Sequence, residues 1–485
     1  MTLSPIDWVI LFTYLALVIG IGAACAGRQV STNEFFLGGR RFGAFAVSLS
    51  VLGSGLSAIT FLGIPGYVFG LDWSLLISGS VAILALITVA RVFVPYFLAS
   101  PHASAYELLN SRFDTRVASF AAAIFLLMRG LLIGIAIYAP SIALSVVTGW
   151  SLSMCILVSG FATLIYTTLG GMSAVIWTDI IQVFVLFGGA LVALYLLCTT
   201  VPGSPSDWMA DLTAQKKWNI FDFEWSWTRI TFWSGLIGGF VFGVATYGAD
   251  QVMVQRYMSS RSVKDARRSL YLNAWYTLPT LLLFFSIGSM LFLYFKANPT
   301  ALPENLINNQ VFAYYIVHFM PRGLAGLVIA AIFAGAMSTL SAVLNSLATV
   351  SVNDFYKRYF RPNMPDIHYV RAGQAFTLFW GLLAIGTAFF SEFLSSEITL
   401  AAIKAAGLFM GPLLGLFLLA MFSRTATSRS ALWGSSIGLM ASLTAGFATP
   451  LEEFWLTILG TGLTLSISLI LSRGSSLPAK HVGEQ

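Results

Sequence analysis

Apolar stretches of about 20 residues recur along the whole chain, parted by short polar breaks. Each is long enough to cross a bilayer as a helix, and about thirteen are predicted. Their approximate bounds are 5–25, 43–70, 72–99, 115–147, 150–168, 174–199, 229–256, 270–295, 322–352, 367–391, 397–422, 430–448 and 452–472. They lack the strict alternation of barrel strands, so the pattern predicts an all-α polytopic membrane protein.

Two of these spans carry interruptions. The second contains "LSVLGSGLSAITF" and then Pro65 and Gly66; the seventh reads "GLIGGFVFGVATYGADQ". Four unbroken spans lie between them. An offset of five spans reverses the direction of the second broken helix, so spans two to six and seven to eleven are expected to form inverted repeats. Broken helices at matching positions of two such halves mark the binding site of a transporter. The alternative role for these glycines is close helix packing. The expected organisation is 1–42 (an extra helix and first cytoplasmic loop), 43–199 (first repeat), 200–228 (extracellular loop), 229–422 (second repeat) and 423–485 (two extra helices and a cytoplasmic tail).

Composition agrees: 57% of residues are hydrophobic and 9% charged, against about 25% charged in soluble domains. The net charge of +6 reflects topology rather than nucleic-acid binding. Basic residues collect in alternate loops: Arg28, Arg40 and Arg41; Arg112 and Arg116; Arg256, Arg261, Lys264, Arg267 and Arg268; Lys357, Arg358, Arg361 and Arg371; Arg424 and Arg429. Arg473 and Lys480 follow in the tail, while the other loops hold Lys216, Lys217, Arg229, Lys296 and Arg322. The positive-inside rule then places the N-terminus outside and the C-terminus in the cytoplasm, in a plasma (inner) membrane. Cys25, Cys155 and Cys198 show no paired spacing, so neither disulfides nor a metal site is expected.

Four phrases carry a resemblance: "YTTLGGMSAVIWTDIIQ" at 166–182, "DQVMVQRY" at 250–257, "AGAMSTLSAVLNS" at 334–346 and "GPLLGLFLL" at 411–419. In this order they resemble the sodium/solute symporter family over nearly the whole chain. The resemblance implies a LeuT-like fold of five-plus-five inverted repeats, sodium as coupling ion and a small organic solute as cargo. A monomer suffices, in contact with lipid and not with nucleic acid.

An unwound helix leaves carbonyl oxygens suited to a hard monovalent cation. Gly335, Ser338 and Thr339 are spaced i, i+3, i+4 and share one helix face, offering one carbonyl and two hydroxyls. The family's main sodium site matches these three residues, with partner carbonyls matching Gly53 and Leu56. Asp179 and Ser341 match a second sodium site found in the sialic-acid branch, but a further serine of that site is Ala342 here. The alternative for Asp179 is a helix N-terminal charge at the membrane surface.

Arg129 and Lys404 lie within spans, where an unpaired charge is costly. The acids fall in loops or near span ends, Asp72, Asp179 and Asp250 coming closest. If both cations face the cavity, a carboxylated solute supplies the missing charge; the alternative is snorkelling, easy for Lys404 and harder for Arg129. The arginine that reads the substrate carboxylate in the sialic-acid branch aligns with Leu132, and the inner-gate tyrosine of sugar carriers aligns near Thr246, beside Tyr247. Ser57 and Thr60 match polar residues of the broken helix. The expected pocket is Ser54, Ser57, Thr60, Leu75, Arg129, Leu132, Thr246, Tyr247 and Lys404. The expected activity is sodium-coupled import by alternating access, of sialic acid or another organic anion first and a neutral sugar or polyol second. A channel would need a continuous polar lining. An enzyme would need a nucleophile–base set or metal cluster, and none stands at spanning depth. A sensor would need a signalling domain, and proton coupling a mid-depth acid.

Overall fold

The computed structural model describes residues 4–26, 29–57, 59–99, 102–303, 306–390 and 398–473; Arg28 and Lys480 of the basic loops lie outside them. The described residues form helices joined by loops, with one isolated bridge between Phe42 and Ser260 in place of any strand. The helices are α1 (Pro5–Ala26), α2 (Thr32–Leu37), α3 (Ala44–Gly55), α4 (Ile64–Gly70), α5 (Leu75–Leu98) and α6 (Ala105–Arg112). They continue as α7 (Thr115–Thr148), α8 (Leu152–Thr200), α9 (Pro205–Ala214), α10 (Gly239–Ala249), α11 (Gln251–Met258) and α12 (Val263–Ala297). The last six are α13 (Asn308–Phe319), α14 (Leu324–Val350), α15 (Asp366–Ala388), α16 (Ile398–Phe422), α17 (Ser428–Ala448) and α18 (Glu453–Ser472).

Nine helices among the described residues are long and apolar enough to cross a membrane, and eleven spans result if each bent pair is one span. The expected thirteen differ from this in two places. Residues 150–168 and 174–199 run together in α8, which is 49 residues long. A straight helix of that length would reach about 74 Å, far beyond the roughly 30 Å of hydrocarbon. It turns at Gly171, whose φ of 53° and ψ of −154° are not helical. A Cβ there would stand 2.7 Å from the Phe35 carbonyl. The second place is α15, which is long enough to span but is not among the strongly apolar helices.

Both expected breaks exist, and their causes differ. In the second span α3 ends at Gly55, Leu56 leaves helical geometry (φ −93°, ψ 85°), and the chain resumes through a π-helical turn, Ile59–Gly63, into α4. The two halves bend by 61°. In the seventh span the bend of 54° falls at Asp250, between α10 and α11. The glycines before it stay helical and serve packing: a Cβ at Gly239 would lie 3.0 Å from the Ser78 backbone, and one at Gly243 2.8 Å from Ala85.

α14 is the most enclosed span, with 89% of its most apolar window buried. Its run of Ala, Gly and Ser suits that place, because small side chains let neighbouring backbones approach closely in lipid. Between the eighth and ninth expected spans, 270–295 and 322–352, lies α13, whose Val311, Phe312 and Tyr315 are buried against α4 and α12.

Candidate functional site

The break in the second span faces α14. Gly53 and Ser338 approach so closely that a Cβ on Gly53 would stand 3.0 Å from the Ser338 hydroxyl. A Cβ on Gly335 would stand 3.1 Å from the Leu56 carbonyl oxygen. Thr339 Oγ1 lies 3.4 Å from the Ser54 carbonyl. The structure thus gathers Gly53, Leu56, Gly335, Ser338 and Thr339 around one junction. Its oxygens are carbonyls and hydroxyls, the neutral hard donors that suit sodium. The unwinding at Leu56 presents the carbonyls; the i, i+3, i+4 spacing on α14 presents the hydroxyls.

Asp179 lies behind this junction. It is fully buried inside α8, not at a helix terminus on the membrane surface. Its two carboxylate oxygens accept from Ser50 Oγ and Ser338 Oγ, each at 2.5 Å. Arg256 Nη2 stands 3.5 Å away, and both side chains have no exposure. Arg256, counted among the loop cations from sequence, is therefore a core residue. Ser341 donates to the Ser338 carbonyl at 3.0 Å, while Ala342 is buried and offers no side-chain oxygen. Ser338 is thus shared by the main junction and the Asp179 group.

Next to the junction lies a cavity of about 420 Å³. Of the expected pocket residues, Ser54, Ser57, Thr60, Leu75, Arg129, Thr246 and Tyr247 line it. Leu132 and Lys404 are not in the lining. Leu132 packs against the apolar core. Lys404 lies in the field of Glu453, while its neighbours Ile403 and Ala406 reach the cavity. α12 contributes Asn273, Thr277 and Thr280, which the sequence reading passed over. Their helical spacing in "LNAWYTLPT" was an available signal, one polar stripe on an otherwise apolar span. Ser78, Phe242 and Phe454 were missed too; they come from three separate elements.

The charge balance departs from expectation. Arg129 is paired with Asp250, which is fully buried at the bend of the seventh span. From sequence Asp250 is one of the three acids that come closest to span depth, but a helix break looks there like the end of a span, so its pairing with Arg129 is not legible. The "DQVMVQRY" segment distributes its polar groups among distinct neighbours. Gln251 Oε1 accepts from the Ala105 amide at 2.8 Å, and Gln255 Nε2 donates to the Phe36 carbonyl at 2.6 Å. Arg256 Nε also donates to the Ser50 carbonyl at 3.2 Å. Asp250 and the short helix α11 therefore tie α2, α3, α6, α7 and α8 together.

A bent span that meets a small-residue helix at a cation-suited junction, and a second bent span that helps to line the cavity beside it, define a sodium-coupled secondary transporter of LeuT-like fold. The sequence profile of the Sodium:solute symporter family matches residues 35–438, and the chain belongs to that family. The chain is similar to the sodium/sialic acid symporter NanT of Aliivibrio fischeri, at 34% identity over 96% of this chain and 93% of that protein. It is 33% identical to the sodium/sialic acid symporter SiaT of Proteus mirabilis over 98% of this chain and 96% of that one. It is also 32% identical to the human sodium-coupled monocarboxylate transporter 1, over 92% of this chain and 75% of that one. Among solved structures, a Na+-coupled sialic acid symporter in a substrate-bound outward-open state matches with a TM-score of 0.93 and 32% identity, covering 99% of this chain and 100% of that one. Mhp1, a nucleobase-cation-symport-1 family transporter, matches at a TM-score of 0.62 and 13% identity over 92% of this chain and 94% of that one, a likeness of fold alone.

Proposed function

We propose that this symporter imports a small carboxylated solute, sialic acid foremost, by alternating access through the central cavity. The observation that carries this reading is shared residues: Ser54, Leu56 and Thr339 belong both to the cation-suited junction and to the cavity wall. An ion at the junction would hold α3 against α14 and so shape the cavity. Release of the ion would loosen the same joint and free the solute. Gly53, Leu56, Gly335, Ser338 and Thr339 hold the main ion in this reading, and Asp179 and Ser341 a second. The repeats are 43–199 and 229–422, the N-terminus lies outside and the C-terminus in the cytoplasm. The solute crosses unchanged.

One charge crossing 100 mV supplies about 2.3 kcal/mol. A tenfold sodium gradient adds about 1.4 kcal/mol. Together they support accumulation of several hundredfold, on the order of 3.7 kcal/mol, when one net charge moves per cycle. A monoanion carried with one sodium loses the voltage term, so the occupancy of the Asp179 group decides the driving force.

A second reading, a neutral sugar or polyol, is favoured by the Arg129–Asp250 pair, because it removes the unbalanced cation from the cavity wall. One experiment separates the two. Purified protein is heated with sialic acids, monocarboxylates, sugars and polyols, each in sodium and in potassium. A ligand that binds the folded state raises the melting temperature by mass action. Stabilisation by an anionic solute in sodium alone supports the first reading. Stabilisation only by neutral solutes selects the second, and equal shifts in both salts overturn sodium coupling at this cavity.

A further inference from the structure

A second space, of about 760 Å³, opens on the flank of the bundle, away from the transport cavity. Residues Ser351–Phe360 continue α14 as a π-helix. Such a helix bonds i to i+5, so 351, 356 and 361 fall in one row and 355 and 360 in the next. Those five positions, Ser351, Phe355, Tyr356, Phe360 and Arg361, are the ones this segment contributes to the groove. In an α-helix they would be spread around the axis. The wider winding therefore gathers three aromatic residues on a single face, and Arg361, the residue that caps the segment, completes the lining.

Phe376 and Trp380 of α15 and Leu126 of α7 complete the floor. Trp380 is held in place, its Nε1 donating to Ser351 Oγ at 3.0 Å. Neighbouring Leu127, Leu378 and Phe379 are exposed large apolar side chains, the mark of a lipid-facing surface. The groove ends at Arg361, which makes no ion pair among the described residues. Asp354, the acid of the same segment, is engaged with Arg358 at 3.7 Å. The same segment carries a second cation: Lys357 Nζ lies 5.3 Å from the Tyr369 ring centroid, and the Tyr369 hydroxyl donates to the Arg361 backbone carbonyl at 2.7 Å.

We propose that this groove holds an anionic phospholipid, its acyl chain against Phe355, Phe376 and Trp380 and its phosphate on Arg361, with Lys357 as the second cation. Basic pockets between spans at the end of the apolar zone recognise such headgroups by charge. The apolar floor selects a lipid over a free phosphate, and the basic rim selects an anionic lipid over a zwitterionic one.

The test uses the full-length protein in nanodiscs with brominated-chain phosphatidylglycerol or brominated-chain phosphatidylcholine. It reads the part of the tryptophan quenching that Trp380→Phe removes. Phosphatidylglycerol should quench half-maximally at a mole fraction about fivefold lower. Arg361→Gln should abolish that preference and Arg361→Lys should keep it. Excess inorganic phosphate should change nothing. Equal quenching by the two lipids in the unsubstituted protein would overturn the proposal without reliance on any charge variant. So would a preference that survives Arg361→Gln, or displacement by inorganic phosphate, which would assign the groove to a free anion.

Discussion

Arg129 on α7 pairs with Asp250, and the other carboxylate oxygen of Asp250 accepts from the Val252 amide at 3.0 Å to cap α11. One side chain thus joins a cation on the cavity wall to the hinge of the seventh span. Tyr106 adds a second hold there, donating to the Ala249 carbonyl at 3.2 Å. Any solute group that competes for Arg129 would act on this hinge.

Asp250→Asn leaves Arg129 without its counter-charge in a largely enclosed site. The expected cost is about 3 kcal/mol, the lower end for breaking a buried pair, since Arg129 keeps some exposure. Arg129→Gln with Asp250→Asn should cost less than the sum of the single changes by about 1 kcal/mol or more. Thermal unfolding of the four proteins measures this, and strict additivity would mean that the two side chains are not coupled.

Thr339→Ala removes one hydroxyl from the junction and leaves the packing of α14 nearly intact. Half-maximal sodium for transport should rise roughly tenfold or more, the worth of a bond to a charged group. Thr339→Ser should retain most of the affinity. A sodium titration of uptake decides; an unchanged midpoint would remove Thr339 from the ion site.

Thr277→Val keeps shape and removes a hydroxyl from the cavity wall, whereas Lys404 lies outside that wall. The first should raise KM about five- to tenfold. Lys404→Gln should leave KM nearly unchanged. Initial-rate uptake at saturating sodium checks both; a larger effect for Lys404 would place its side chain in the solute path.

Gly171→Ala places a side chain at a positive φ that other residues rarely adopt, and drives it toward the Phe35 carbonyl. Strain of about 1–3 kcal/mol adds to the collision, so folded yield and melting temperature should fall sharply. Gly20→Ala is the control. Nothing lies within 4 Å of its added carbon, and helix propensity predicts a gain of about 0.5–1 kcal/mol.

The spans, and the existence of two breaks, were legible because lipid imposes a simple rule on sequence: about 20 apolar residues per crossing. The location of the second break was not. Five glycines drew attention to residues 235–248, yet a glycine can serve a bend or a close contact with equal ease. The contacts of Gly239 with Ser78 and of Gly243 with Ala85 give these two the second role, and the bend falls to Asp250, whose carboxylate replaces lost backbone partners. Asp179 admits two readings from sequence, a ligand of a second sodium site or a helix N-terminal charge at the membrane surface; three elements close over it, which removes the surface reading.

By itself the sequence determined that this chain is a bundle of membrane helices, which spans are interrupted, and which faces of them carry oxygen donors. These properties follow from local period and composition, which the bilayer reads directly. Charge pairing was decided only by tertiary structure. Arg129 finds Asp250 and Arg256 finds Asp179 across long stretches of chain, so the cavity wall carries a paired arginine in place of an exposed one. Whether a buried charge is free or matched depends on distances between helices, and no pattern along one helix contains them.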